Sequence, residues 1–440
     1  MPGSNELIKE VLESVSKRDS IAYGMSQRSK LEAAGRFTWN DPREADGVPI
    51  LARRKISDTD LNQRIHVPFD RMISTNKAGY FAADITITYG DGVPDQVKAF
   101  YKSLYERARW RGMTLSLADS SVTQGAAYIL CSIEDGEFWV SQSPSISTKV
   151  IYDKRTHKPL YGLRYGRDIV EFYDGMEMTV YHLKDGIWTP GETVLHGMGT
   201  ASRPMVPIIE FRNSPDRIGN PERVITLCDA YDVSMSDLSN ELAALRLSYL
   251  LLKGLGERAD VVKKQLKDAG VIIIDSDNGD ARFITKNLNP EAVRLLQDNL
   301  RSLIFEGASS YDPTSFAEGS SPTAYEVSQR LAALEMDTNI TVGQWDEGFR
   351  QLDYIIQTYL TTFTGVSDYP IWEIDRIFRR SAPKNDIAAL VEARNAGLNL
   401  SNETKIELSG LQIDPDEEAL RIQNDPNIIE AAPIPGLNQE

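Results

Sequence analysis

Along this 440-residue chain the spacing of hydrophobic and polar positions changes period several times, and each change predicts a different element. Between about 79 and 210, the stretches "AAYILCSIEDGEFWV", "DIVEFYDGMEMTVYHL" and "HLKDGIW" place Asp-Gly between aromatic and β-branched runs. That pattern predicts β-hairpins, because Asp-Gly readily takes the positive φ angles of tight hairpin turns. Ahead of them, "DQVKAFYKSLYERARWRG" carries apolar residues at helical spacing and predicts a helix that stops at Gly112. The first half therefore mixes helices with antiparallel sheet.

The second half is dominated by helical periods. Val224, Cys228, Tyr231, Met235, Leu238, Leu242, Leu245, Tyr249 and Leu252 recur in alternating steps of four and three, a heptad stripe. It predicts one helix over 222–253, about 48 Å long, with Pro221 in its opening turn and Gly254 as its stop. Such a stripe serves either the core of a bundle or packing between copies of the chain. "GVIIIDSDNGDARFIT" then pairs two apolar runs across Asn278-Gly279 as a small hairpin. A second helix is predicted from Asn289 as N-cap and Pro290, with Val293, Leu296, Leu300 and Leu303 on one face and a stop near Gly307. After the polar loop "SSYDPTSFAEGSSPTAYE", a third helix is predicted from about Thr323 to Phe363, bent near Gly343. Short helices in "PKNDIAALVEARNAG", "SNETKIELSG" and "DPDEEALRI" close the chain, with a disordered tail expected over 425–440. Residues 5–35 are polar and helix-compatible, either an arm that docks on a neighbour or a surface helix.

Composition narrows the function classes. With 41% hydrophobic and 25% charged residues the chain can bury a substantial core. Its net charge of -16 argues against a protein that clings to nucleic acid by neutralising phosphates. Cys131 and Cys228 are the only cysteines, and no long apolar run appears, so a disulfide scaffold, secretion and a membrane span are not expected. Catalytic motifs are missing as well. No Gly-Lys dipeptide exists for a P-loop, and His66, His157, His182 and His196 lack ligand spacing. "DSDNGDARFITK" fails as a calcium loop, with Asp280 where Gly is required and Lys286 where Glu is required. Asp414, Asp416, Glu417 and Glu418 read as dipole compensation in a first helical turn. No catalytic, metal or cofactor site is expected, and the chain reads as a non-enzyme.

The segment "RPMVPIIEFRNSPDRIGNPERVITLCDAYDVSMSDLSNEL" resembles the signature of the portal proteins of tailed bacteriophages. It has a proline-flanked opening, an apolar strand ending in Asn, then a long helix with Asp-Ala-Tyr-Asp. Further segments agree in the same order: "DRMISTNKAGYFAADITITY", "QGAAYILCSIEDGEFWVSQSPSISTKVIYD", "KPLYGLRYGRDIVEFYDG" and "NAGLNLSNETKIELSGLQIDPDEEALRI". The resemblance spans roughly residues 60–422.

It implies an α+β portal fold: a mixed α/β wing, a two-helix stem, a small α/β clip with a β-hairpin, a long kinked helix and a helical crown. The implied layout is an N-terminal arm over 1–60, wing over 61–221 and stem helices over 222–253 and 290–307. The clip covers 254–289, a tunnel loop 308–322, the kinked helix and rest of the wing 323–380, and the crown 381–424. The implied assembly is a ring, commonly of twelve copies, at one capsid vertex of the virion, put together in the host cytoplasm. Double-stranded DNA passes through it without sequence specificity. Partners implied are terminase, neck or adaptor proteins, and major capsid or scaffolding proteins. The resemblance assigns Ser309, Ser310, Tyr311, Asp312, Thr314, Ser315, Phe316, Glu318, Gly319 and Ser320 to the tunnel loop, which holds two acids and no Lys or Arg over 308–322. At the implied clip, Asp275, Asp277, Asn278, Gly279 and Asp280 of the hairpin are the candidate partner-docking residues, and on the heptad face Tyr231, Met235, Leu238, Leu242, Leu245 and Tyr249 are the candidates for packing between subunits. The rival readings are another structural head or neck protein, or a magnesium-dependent nucleic-acid enzyme.

Overall fold

The computed structural model describes residues 65–166, 168–185, 187–245, 249–253, 280–284, 290–312, 314 and 324–381. By its contacts the chain divides into one unit of 1–319 and 330–381 and a second of 320–329 and 382–440. Of the second unit, the described residues are the opening turns of the long helix. The crown, the N-terminal arm and the tail lie outside the described residues.

Among the described residues, the first unit begins with α1 (Phe69–Ala82), β1 (Asp84–Tyr89), α2 (Asp95–Arg107) and α3 (Trp110–Gln124). The helix expected to stop at Gly112 is in fact two. α2 ends at Arg107, Arg109 turns the chain in the left-handed region at φ 47°, and α3 runs on through Gly112. Trp110 decides this corner: it is buried, stacked on Tyr105 at 4.1 Å and packed near Phe349, and a straight helix would not bring its indole onto Tyr105.

The hairpins follow. β2 (Ala126–Glu134) and β3 (Glu137–Ser143) turn on Asp135 and Gly136, both at positive φ (51° and 82°), as a two-residue primed turn requires. β4 (Thr148–Tyr152), β5 (Pro159–Tyr165), β6 (Ile169–Tyr173), β7 (Glu177–Lys184) and β8 (Ile187–Leu195) form a five-stranded antiparallel meander. At its β6–β7 turn the Asp174 carboxylate accepts the backbone N–H groups of Met176 and Glu177 at 2.8 and 2.7 Å. β9 (Ile208–Arg212) returns to pair with β2, giving the sheet order β3-β2-β9.

Pro221–Val224 form a 3-10 turn that leads into α4 (Ile225–Leu245). Here the structure corrects the sequence: the helix does not reach Lys253. β10 (Tyr249–Lys253) pairs antiparallel with β11 (Asp280–Ile284), Tyr249 opposite Ile284 and Lys253 opposite Asp280. A continuous apolar run such as "YLLL" satisfies a strand as well as a heptad, so Tyr249 and Leu252 joined the stripe by coincidence of spacing. The hairpin expected across Asn278-Gly279 has its first arm outside the described residues; its second arm, β11, takes β10 as partner.

α5 (Pro290–Gly307) has the expected bounds. α6 (Ala324–Tyr359) continues unbroken through Gly343, and its irregularity lies at the end, where Leu360–Thr364 widen into a π turn closed by Gly365 at φ 71°. β12 (Ile374–Arg379) pairs with β1. The main core gathers Phe81, Tyr101, Leu117, Ile129 and Phe211 around the α6 face of Trp345, Phe349 and Leu352, all at most 2% exposed. The described architecture is the mixed helix-and-sheet class expected.

Candidate functional site

Two helices and the residues that join them carry the site. The opening of α4 packs against the close of α5 over α1. Phe69, Ile73, Val224, Cys228, Ile304, Phe305 and Ala308 form a buried cluster, with Phe69 edge-on to Tyr231 at 5.0 Å and to Phe305 at 5.9 Å. The first three positions of the heptad stripe, Val224, Cys228 and Tyr231, are thus used within the chain. Met235 and Leu238 are half-buried. Leu242 and Leu245 lie in the last turn of α4, and Tyr249 lies in β10.

The Asp-Ala-Tyr-Asp motif has a local purpose. Asp232 accepts the backbone N–H of Val67 at 3.0 Å and meets His66 Nδ1 at 2.5 Å, while Ser236 Oγ accepts the N–H of Ile65 at 2.9 Å. One face of α4 thereby holds the extended segment that leads into α1. Outward faces differ. Val233 on α4 is 58% exposed, and Leu295, Leu296 and Leu303 on α5 are 62%, 51% and 49% exposed. Of the apolar face predicted for α5, Val293 and Leu300 are half-buried, whereas Leu296 and Leu303 point to solvent.

α5 ends at Gly307, but Gly307 is not its left-handed cap. Ser309 takes the left-handed position at φ 51°; its N–H donates to Glu306 O at 3.0 Å and that of Ser310 donates to Phe305 O at 2.8 Å. These are the paired bonds of a Schellman end, with Ser in the place usually held by Gly. Gly307 serves another need, because a Cβ there would stand 2.8 Å from Val224 Cγ1, so its bareness lets α5 approach the start of α4.

The loop base is pinned on two sides. Arg301 of α5 donates to both carboxylate oxygens of Asp312, its Nη2–Oδ1 distance being 2.7 Å, and its guanidinium lies over Phe305 at 5.5 Å. Asp312 Oδ1 also accepts the backbone N–H and hydroxyl of Thr314 at 2.9 and 2.8 Å. Burial pushes the Asp312 carboxyl up, but the bonds from Arg301 and Thr314 override it and hold the group below the usual carboxylate range. Across the loop, Asn76 Nδ2 donates to Tyr311 O at 3.1 Å. Of the two acids that the loop carries, Asp312 is therefore committed to an internal ion pair. Ser315, Phe316, Glu318, Gly319 and Ser320 lie outside the described residues, as do Asp275, Asp277, Asn278 and Gly279; Asp280 opens β11.

Sequence reasoning missed the hub behind this junction. Lys77, 1% exposed, reaches Asp337 Oδ2 at 2.6 Å, Asn213 Oδ1 at 2.9 Å and Asn220 Oδ1 at 3.1 Å. Asn220 Nδ2 in turn donates to Ala308 O at 2.8 Å and to Asp337 Oδ2 at 2.7 Å, and Arg223 donates to Asp337 Oδ1 at 2.8 Å. One polar knot thus joins α1, the turn after β9, the start of α4, the end of α5 and α6. Burial, opposed by Asp337, pulls the Lys77 ammonium down to about 8. Burial would raise Asp337, but Lys77, Asn220 and Arg223 keep it below the ordinary carboxylate value. The visible signal was a lysine at a helix position whose neighbours are core, Lys77 between Ile73 and Phe81.

Among the described residues no group of His, Cys, Asp and Glu is arranged to hold a metal, and no helix is long and apolar enough to cross a membrane. No curated protein matches the chain. Similar solved structures include a chain from the "Virion of native gene transfer agent (GTA) particle" and one from the "Neck of native GTA particle computed with C12 symmetry". Each is 12% identical with a TM-score of 0.41, over 79% of this chain and 89% of that one. The sequence profile of the family described as "Phage portal protein, SPP1 Gp6-like" matches residues 35–427. With a match that runs through nearly the whole chain, this protein belongs to the SPP1 Gp6-like family of phage portal proteins.

Proposed function

We propose that copies of this chain close into a ring, of twelve in the family's common form, at one vertex of a phage capsid, and that double-stranded DNA enters and leaves through it. The family is structural, and the chain acts by shape. The observation that carries the ring is the two-sided stem pair: α4 and α5 bury one flank against α1 and leave Val233, Leu295, Leu296 and Leu303 uncovered on the other. Several large apolar side chains left to solvent on a helix pair suit an association surface. Met235, Leu238, Leu242 and Leu245, on the striped face of α4 away from Val233, are a second candidate contact.

In this reading, Ser309, Ser310 and Tyr311 form the rigid foot of a loop whose further residues, Ser315 to Ser320, meet the duplex. Because Arg301 neutralises Asp312, the loop presents less negative charge than its sequence suggests, and it lacks the cations that would hold phosphates. It slides on the duplex instead of gripping it. The motor energy comes from a separate terminase docked at the clip, where Asp275, Asp277, Asn278, Gly279 and Asp280 are the proposed contacts. Neck proteins, and capsid or scaffolding proteins, complete the set, assembled in the host cytoplasm and retained in the virion. Negative-stain imaging of the purified chain tests the reading: annular particles with a central hole are expected, and compact single copies at every concentration and salt would refute it.

A further inference from the structure

The corner between α2 and α3 holds a groove of about 770 Å³ that no part of the ring reading uses. Its floor is apolar, made by Ile87 and Tyr89 of β1 with Tyr105 and Trp110. Its rim is cationic: Lys98, Lys102, Arg109 and Arg111 line it, against the single acid Glu106. Lys98 lies 3.0 Å from Asp95, but Lys102, Arg109 and Arg111 are exposed and have no ion pair among the described residues. In a chain whose net charge is -16, three unanswered cations around one apolar floor are a local reversal of the general field.

Local geometry keeps the groove open. Trp110 is only 7% exposed, and its ring forms part of the floor. Arg109 holds a left-handed backbone at φ 47°, a conformation that costs a non-glycine residue energy and that clusters at binding sites. Gly112 leaves open space beside the groove, with nothing within 4 Å of where its Cβ would stand.

We propose that this groove docks an acidic peptide segment of a partner protein, one that seats an apolar side chain on the floor and sets carboxylates against the rim. A peptide fits better than nucleic acid. Tyr105 and Trp110 already stack on each other at 4.1 Å and 4° between planes, so no gap remains for a base to enter between them.

The test uses the purified full-length chain and a short fluorescein-labelled peptide of glutamates around two leucines one helical turn apart. Its lysine counterpart and a short DNA duplex serve as comparisons. Saturable anisotropy is expected with the glutamate peptide alone. Lys102→Glu with Arg111→Glu should weaken it about tenfold. Gly112→Trp, whose added side chain enters open space and fills the groove, should abolish it while the melting temperature holds. Absence of binding by the glutamate peptide, equal binding of the lysine peptide, wild-type binding by the charge-reversed protein, or displacement of the peptide by the duplex would each overturn the proposal. Should Gly112→Trp fail to fold, the charge reversals decide alone.

Discussion

The two ends of α5 live in different environments. Apart from the exposed Leu303, its last turns are finished within one chain: Ile304, Phe305 and Ala308 are at most 3% exposed, Arg301 is paired with Asp312, and the final carbonyls are answered by Asn220 and the Schellman bonds. Its first half leaves Leu295 and Leu296 more than half exposed. The difference separates the part of the helix that the chain buries from the part it leaves to solvent. The junction with α1, α4 and α6 is a matter of folding, whereas the exposed flank of the same helix is the surface proposed above for contact between copies.

Perturbations at the junction should reduce stability, the most at its centre. Lys77→Met leaves Asp337 and Asn220 short of a buried partner and should cost about 3 kcal/mol in denaturant unfolding. The sign of its pH dependence is distinctive. Lys77 titrates at about 8 when folded and at 10.5 in its unperturbed state, so between those values the unfolded chain binds more protons. The contribution of Lys77 to stability is therefore full above its unfolded pKa and lost as pH falls through the folded one. The wild type's advantage over Lys77→Met should accordingly grow from pH 8 to pH 10, and a constant or shrinking gap would contradict the buried placement.

Gly307→Ala forces a methyl to 2.8 Å from Val224 Cγ1, a stiff buried side chain, and should cost about 1–2 kcal/mol although alanine is the better helix former. If glycine were merely the helix stop, the same change would strain a positive φ instead; Ser309→Gly, at the true left-handed position, should be neutral or slightly stabilising. Asp312→Asn should cost only about 0.5–1 kcal/mol in global unfolding, yet raise amide exchange at Ser310 and Thr314 because the foot of the loop loses its clamp.

Much of the fold was legible because its signals were local. Asp135-Gly136 and Asp185 mark turns whose geometry depends on those residues alone, and the bounds of α5 follow Pro290 and the end of its apolar period. What failed depended on distant partners. "YLLLK" became a strand because "DARFI" lies beside it, and α2 ended early because Trp110 packs near Phe349, far along the chain. The site was legible in outline, since the signature around Asn213 and Asp229–Asp232 sits at the junction. Its chemistry was not: a lone Lys77 in an apolar helix face gives no hint of Asp337, 260 positions away. That the first three positions of the heptad stripe serve internal contacts also needed the fold, because periodicity does not name the surface opposite.

The most direct test of the account is the mass of the particle formed by Leu296→Asp with Leu303→Asp, beside wild type, by mass photometry. Both leucines are about half exposed within one chain, so the variant should melt within about 0.5 kcal/mol of wild type. Buried in a ring contact, the same two charges should leave it monomeric while wild type forms multi-subunit rings. Rings of unchanged mass from the doubly charged protein would show that this flank is not where the subunits meet.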